Sequence, residues 1–199
     1  MAKSRRLTWK KVWHFIWEDN SIWSWIVNVI LAFILIKFIV FPGLGFMLST
    51  THPVVAVVSS SMEHDKQFEQ WWDERGRWYE ARNITSGIFS TFPFKEGFNR
   101  GDIMVLYGKK TKDIKRGDVI VFQSAGYEPI IHRVVRKWDD KGGYFFQTKG
   151  DNNADSIKGA GLDETSIPDG NVIGVAVFRI PLLGYVKIVF VEIISVFQR

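Results

Sequence analysis

The chain of 199 residues contains no cysteine, so a thiol nucleophile and any Cys-ligated metal are excluded. What remains for nucleophilic chemistry is the run Ser59-Ser60-Ser61-Met62 at the end of the apolar stretch Pro53–Val58. A serine hydroxyl is a weak nucleophile at neutral pH and needs a base within hydrogen-bond reach. Four histidines could supply one: His14, His52, His64 and His132. Only two residues separate Ser61 from His64, so presenting both to one proton would need an unusual turn. His132 closes the apolar run Pro129-Ile130-Ile131, a place where a structural histidine is the commoner occupant. Thr148-Lys149-Gly150-Asp151-Asn152-Asn153 reads as a turn carrying an acid, and Asp155 follows it. Taken singly, each of these segments is also an ordinary turn or cap.

The elements that would position these residues divide sharply. From Trp23 to Phe41 the sequence is almost wholly apolar, interrupted by Ser24, Asn28 and Lys37. Nineteen residues at about 1.5 Å each cover roughly 29 Å, the thickness of a bilayer's hydrocarbon core. Trp23 and Trp25 stand where an interfacial aromatic belt is expected, and Lys37 can snorkel outward. Lys3, Arg5, Arg6, Lys10 and Lys11 precede this span, whereas no Lys or Arg occurs between Phe38 and Asp65. The positive-inside rule therefore places 1–22 in the cytoplasm, 23–41 across the membrane and 42–180 outside. That topology removes His14 from any site in the outer domain. The net charge of +5 suits a membrane surface, and no nucleic-acid partner is expected.

Beyond Pro42-Gly43, short β-branched runs alternate with turns: Val54–Val58, Ile103–Tyr107, Asp118–Phe122, Ile130–Arg136, Tyr144–Thr148 and Asn171–Phe178. This pattern predicts a mainly β, antiparallel, partly barrel-like domain without βαβ units. The two Arg-Gly-Asp segments, at 100–102 and 116–118, read as turns entering strands. Residues 63–99 form an aromatic-rich insertion with Phe68, Trp71, Trp72 and Tyr79 at near-helical spacing. A surface helix packing those rings on the β domain is the expectation, with a helix dipping into the outer leaflet as the alternative. Asn83-Ile84-Thr85 is a glycosylation sequon within it. The apolar stretch within 181–199 is short for a second span and reads as a membrane-associated helix.

Together, PVVAVVSSSM, NRGDIMVL, IKRGDVIVF, PIIHRVV, FQTKGDNN and VIGVAVFRIPLLGYV follow one another in the order seen in type I signal peptidases. The chain resembles the archaeal and endoplasmic-reticulum branch of that family. The resemblance implies a signal-peptidase-type β fold, Ser61 as nucleophile, His132 as general base and the Ser59 hydroxyl as an oxyanion donor beside the Ser61 backbone N–H. A Ser-His enzyme also needs an acid on the second ring nitrogen. Asp155 is expected there, with Asp151 as the alternative and Asp163 behind them. No cofactor and no metal is required.

The implied activity is a membrane-anchored serine endopeptidase that cuts signal peptides from exported precursors after small residues. Membrane lipid and a protein translocon are its expected surroundings. The blocks favour an archaeal cell membrane, or an endoplasmic-reticulum membrane for a eukaryotic source. A noncatalytic membrane-anchored binding or assembly subunit on the same scaffold is the competing reading, although such a relative should have lost Ser61 or His132. Three departures from the family pattern stand out: Ser60 in place of glycine, His64 in place of proline, and the length of 63–99.

Overall fold

The computed structural model describes residues 8–124, 126, 128–140 and 142–185. The basic residues before position 8, and the expected C-terminal helix from residue 186 onward, lie outside the described residues. The chain divides into two units, one ending at Met47 and one beginning at Leu48.

The first unit is helical. Helix α1 (Trp9–Trp17) is followed by α2 (Ile22–Leu35), a π-helical turn over Ile36–Val40, and α3 (Phe41–Met47). From Ile22 to Met47 the helix is 26 residues long, with a mean hydropathy of 2.5. It runs past Phe41, where the sequence suggested a change of texture at Pro42-Gly43. Proline lacks the N–H that would continue the ladder, and its ring crowds the carbonyl four residues back. The wider turn just before it, closed by the Phe41 N–H to the Ile36 carbonyl, accommodates that interruption. Two polar side chains of the apolar run also gain a reason. Ser24 Oγ donates to the Phe15 carbonyl at 2.5 Å, and Asn28 Nδ2 donates to the Ile16 carbonyl at 2.8 Å. They satisfy acceptors that the C-terminal end of α1 leaves open.

The second unit is built on a seven-stranded antiparallel sheet that curls into a half-barrel. Its strands are β1 (Val54–Ala56), β2 (Ile103–Tyr107), β3 (Val119–Phe122), β4 (Ile130–Asp140), β5 (Gly143–Lys149), β6 (Ile167–Pro168) and β7 (Val172–Ile180). Their spatial order is β1-β2-β7-β3-β4-β5-β6. All four residues of β3 are buried, because the sheet is covered on both faces there. Val119 and Val121 join Val57, Met62, Met104 and Leu106 in one core, while Ile120 and Phe122 join Val134, Phe146 and Ile167 in another. The Arg-Gly-Asp turns repeat the same geometry. Gly101 and Gly117 have φ of 88° and 97°, a region that favours glycine. In each turn the following aspartate accepts a backbone N–H from three residues earlier, Asn99 to Asp102 and Lys115 to Asp118.

Between β1 and β2 stand α4 (Phe68–Glu80) and α5 (Ser86–Phe89). Phe68, Trp71, Trp72, Tyr79 and Phe89 form a third core that packs on Val135 of β4. These rings are buried against the β domain, so they are not available as an aromatic face for entering a leaflet.

Candidate active site

Ser61 lies in the turn that follows β1, pinned from beneath by the fully buried Met62. Strand β4 delivers His132 opposite Ile120 of the central strand β3. The Nε2 of His132 is 2.8 Å from Ser61 Oγ, although 71 positions separate them in the chain. On the other side of the ring, Nδ1 is 2.5 Å from Glu164 Oε1. A proton on Nδ1 shared with the glutamate leaves the Nε2 lone pair facing the serine hydroxyl. The Ser59 hydroxyl lies 3.1 Å from Ser61 Oγ, on the exposed side of the turn.

Glu164 is wholly buried, and each of its oxygens is occupied. Oε1 also accepts from Thr148 Oγ1 at 2.8 Å, and Oε2 accepts from the Ile157 N–H at 2.8 Å. The loop Gly159-Ala160-Gly161 turns the chain back so that Lys158 bridges to Asp163 and Glu164 lies beside the end of β5. Ser61, His132 and Glu164 thus form one continuous hydrogen-bonded line.

No protein-family model matches the chain. It is 33% identical over 159 residues to the signal peptidase complex catalytic subunit SEC11 of Eremothecium gossypii, an alignment that covers 78% of this chain and 75% of that one. The subunits of the same name from Pyricularia oryzae and Clavispora lusitaniae are each 28% identical, over 158 and 165 residues. Those alignments cover 78% of this chain and 73% and 75% of the relatives. The chain belongs to the SEC11 family of signal peptidase catalytic subunits. Among the described residues of this signal peptidase homologue, one helix, Ile22–Met47, is long and apolar enough to cross a membrane. These relatives are fungal and lend no support to an archaeal source.

In this signal peptidase homologue, the aspartates expected beside His132 are elsewhere. Asp155 is exposed. Its Oδ1 accepts from the Trp78 indole N–H at 2.9 Å and from the Ser156 N–H at 2.7 Å. Asp163 accepts from the Thr165 N–H and hydroxyl. Asp151 is buried but faces away from the imidazole, because Arg133 claims it. The guanidinium donates through Nε to Oδ1 at 2.9 Å and through Nη2 to Oδ2 at 2.7 Å. Tyr79 O–H donates to Oδ1 at 2.9 Å, and His64 Nε2 is 3.1 Å from Oδ2. Burial pushes the Asp151 carboxyl up, but Arg133 and these hydrogen bonds outweigh burial and hold it well below the usual carboxylate range. Burial pulls Arg133 down, and the charge of Asp151, its hydrogen bonds to the guanidinium and Tyr79 together more than restore it.

His64 and Lys149, the other basic side chains on the segments around Ser61, are engaged elsewhere. His64 stacks on Trp71 with ring centroids 3.8 Å apart, and its Nε2 is bonded to Asp151. Lys149 donates to the Gly150 and Asp151 carbonyls at 3.0 and 3.2 Å. Its burial lowers the ammonium pKa to about 8, with Asp151 opposing that shift. Glu164, next to Asp163 in the chain, lies outside the sequence expectations. Its available signal was the Gly159/Gly161 pair, which marks the reversal that returns residue 164 to β5.

Proposed function

We propose that this chain is a membrane-anchored serine endopeptidase that removes signal peptides from exported precursors, cutting after small residues. The observation that carries this reading is the line Ser61–His132–Glu164, with the Ser59 hydroxyl next to the nucleophile. In the first half-reaction, Ser61 Oγ attacks the scissile carbonyl while its proton passes to His132 Nε2. The carbonyl oxygen becomes an oxyanion that the Ser59 hydroxyl and the Ser61 backbone N–H are poised to receive. Glu164 stabilises the imidazolium through Nδ1. His132 then gives the proton to the leaving amine as the peptide bond breaks. Water, deprotonated by the same imidazole, hydrolyses the acyl ester and regenerates Ser61.

The basic flank before the apolar helix supports an N-terminus in the cytoplasm and the β domain on the opposite side. The relatives are named as catalytic subunits of a signal peptidase complex, which supports partner subunits for this chain as well. Cleavage of a signal-bearing precursor by the full chain in lipid, with and without Ser61→Ala, tests the proposal. Wild type should cut, and the variant should lose on the order of a million-fold in rate. If neither protein cuts with lipid and partner subunits supplied, the noncatalytic reading replaces this one.

A further inference from the structure

The insertion over 63–99 is wired to the loop that lies against the reacting groups. Tyr79 O–H donates to Asp151 Oδ1 at 2.9 Å, wholly out of solvent. His64 Nε2 meets Oδ2 of the same carboxylate, and Arg75 donates to Asn152 Oδ1 at 3.3 Å. The Lys149 ammonium lies 5.2 and 4.9 Å from the ring centroids of Trp78 and Tyr79. The other side of the loop touches the site itself. The Asn152 N–H donates to the Ser61 carbonyl at 2.8 Å, and the Asp151 N–H points at Met62 Sδ, 3.3 Å away. At Gly150 there is no room for a methyl group: a Cβ would stand 2.8 Å from both His132 Nε2 and the Ser61 carbonyl oxygen.

We propose that Tyr79 is a positioning residue for proteolysis, acting through Asp151 to fix the 150–152 loop that holds Ser61 Oγ against His132 Nε2. This rests on the endopeptidase reading above. The phenol is suited to the task. Burial, and next the charge of Asp151, push its pKa well up, so it remains a neutral donor. Asp151 Oδ1 is shared between Tyr79 and Arg133 Nε. Without the phenolic O–H, the carboxylate is held by Arg133 and His64 alone and can rotate towards them. Its backbone N–H and that of Asn152 are tied to Met62 and Ser61, so the nucleophile turn moves with it. A misplacement of about 1 Å between reacting groups costs on the order of a hundred-fold in rate.

The test is Tyr79→Phe, which keeps the ring packed against Phe89 and Trp72, beside Trp72→Phe. Trp72 belongs to the same aromatic core, but its indole N–H donates to Glu80. Tyr79→Phe is expected to lower kcat by about ten- to a hundred-fold with KM near wild type. Trp72→Phe is expected to lower the melting temperature while sparing kcat. The His132 ring resonances in NMR spectra, which need no turnover, should shift in the first variant and stay in place in the second. Tyr79→Phe with kcat within twofold of wild type and unmoved resonances overturns the proposal. So does an equal change in both variants, which would reduce Tyr79 to packing. If wild type itself fails to cut the precursor, the endopeptidase reading falls, and the resonances alone still decide whether Tyr79 positions His132.

Discussion

Glu164 and Asp151 are both fully buried carboxylates carried on segments that border the Ser61–His132 pair, yet their surroundings differ in kind. Glu164 accepts from an imidazole, a threonine hydroxyl and one backbone N–H. None of these is a fixed cation, so its charge is left to answer the one that His132 gains in the proposed reaction. Asp151 is already answered by Arg133, whose remaining N–H groups donate to the Pro93, Phe94 and Gly117 carbonyls. That pair welds the insertion, the β4 strand and the 150–152 loop into one body. Burial alone does not tell a catalytic acid from a structural one; the partner does.

The sharpest way to break this comparison is to neutralise each carboxylate in turn. Glu164→Gln should keep the fold, because the amide can still accept or donate in the same pocket, and should lower the cleavage rate by up to about ten-thousand-fold. A variant cutting at near wild-type rate would deny Glu164 its place behind His132. Asp151→Asn should instead show first in the melt, since it leaves the Arg133 guanidinium buried without its counter-charge. Breaking such a pair costs about 3–5 kcal/mol. If Asp151→Asn melted like wild type and was nevertheless dead, the roles drawn here would be reversed.

How much of this was legible beforehand follows the same division. The β runs are bounded by Gly and Asp turns, and the period-2 pattern of Ile103–Tyr107 and the solid run Val119–Phe122 carry over into strands. Ser61 and His132 could be paired because each stands in a block of the family resemblance, and β4 then carries His132 to Ser61. Glu164 sits instead at the end of a loop whose length is free to vary. The family resemblance pointed to Asp155, but the reversal over residues 158–163 brings Glu164 back. The contacts of the insertion with Asp151 were illegible for a related reason. They join residues 72 positions apart, and no local pattern marks Tyr79 as a donor rather than a core ring.

A smaller effect separates the insertion-clamped loop by its pH response. Lys149 has a folded pKa of about 8, against an ordinary lysine value of 10.5. Below pH 8 both folded and unfolded chains hold the proton, and the burial penalty is fully present. Between about 8 and 10.5 the unfolded chain holds more protons than the folded one, so raising the pH across that window favours the folded state. Thermal melts of wild type and Lys149→Met at about pH 7.5 and 10 isolate this contribution. The difference between their melting temperatures should move in favour of wild type at the higher pH, and a difference independent of pH would contradict the lowered pKa.

The smallest expected effect belongs to Asp155, the acid that the family resemblance favoured. Its carboxylate is exposed, bonded to the Trp78 indole and its own loop, and 3.9 Å from the Arg82 guanidinium. An exposed pair of this sort contributes roughly 0–1 kcal/mol, and in Asp155→Asn the new amide oxygen can still accept the indole N–H. The variant should therefore cut within about threefold of wild type and melt within a few degrees of it. A modest loss is the most that the Trp78 contact can transmit, because the Gly150–Asn152 segment is held independently by Arg133, Tyr79 and Arg75. A loss of about a thousand-fold in Asp155→Asn, with Glu164→Gln still active, would mean that the loop rearranges on binding precursor and that Asp155 reaches His132 in the working state.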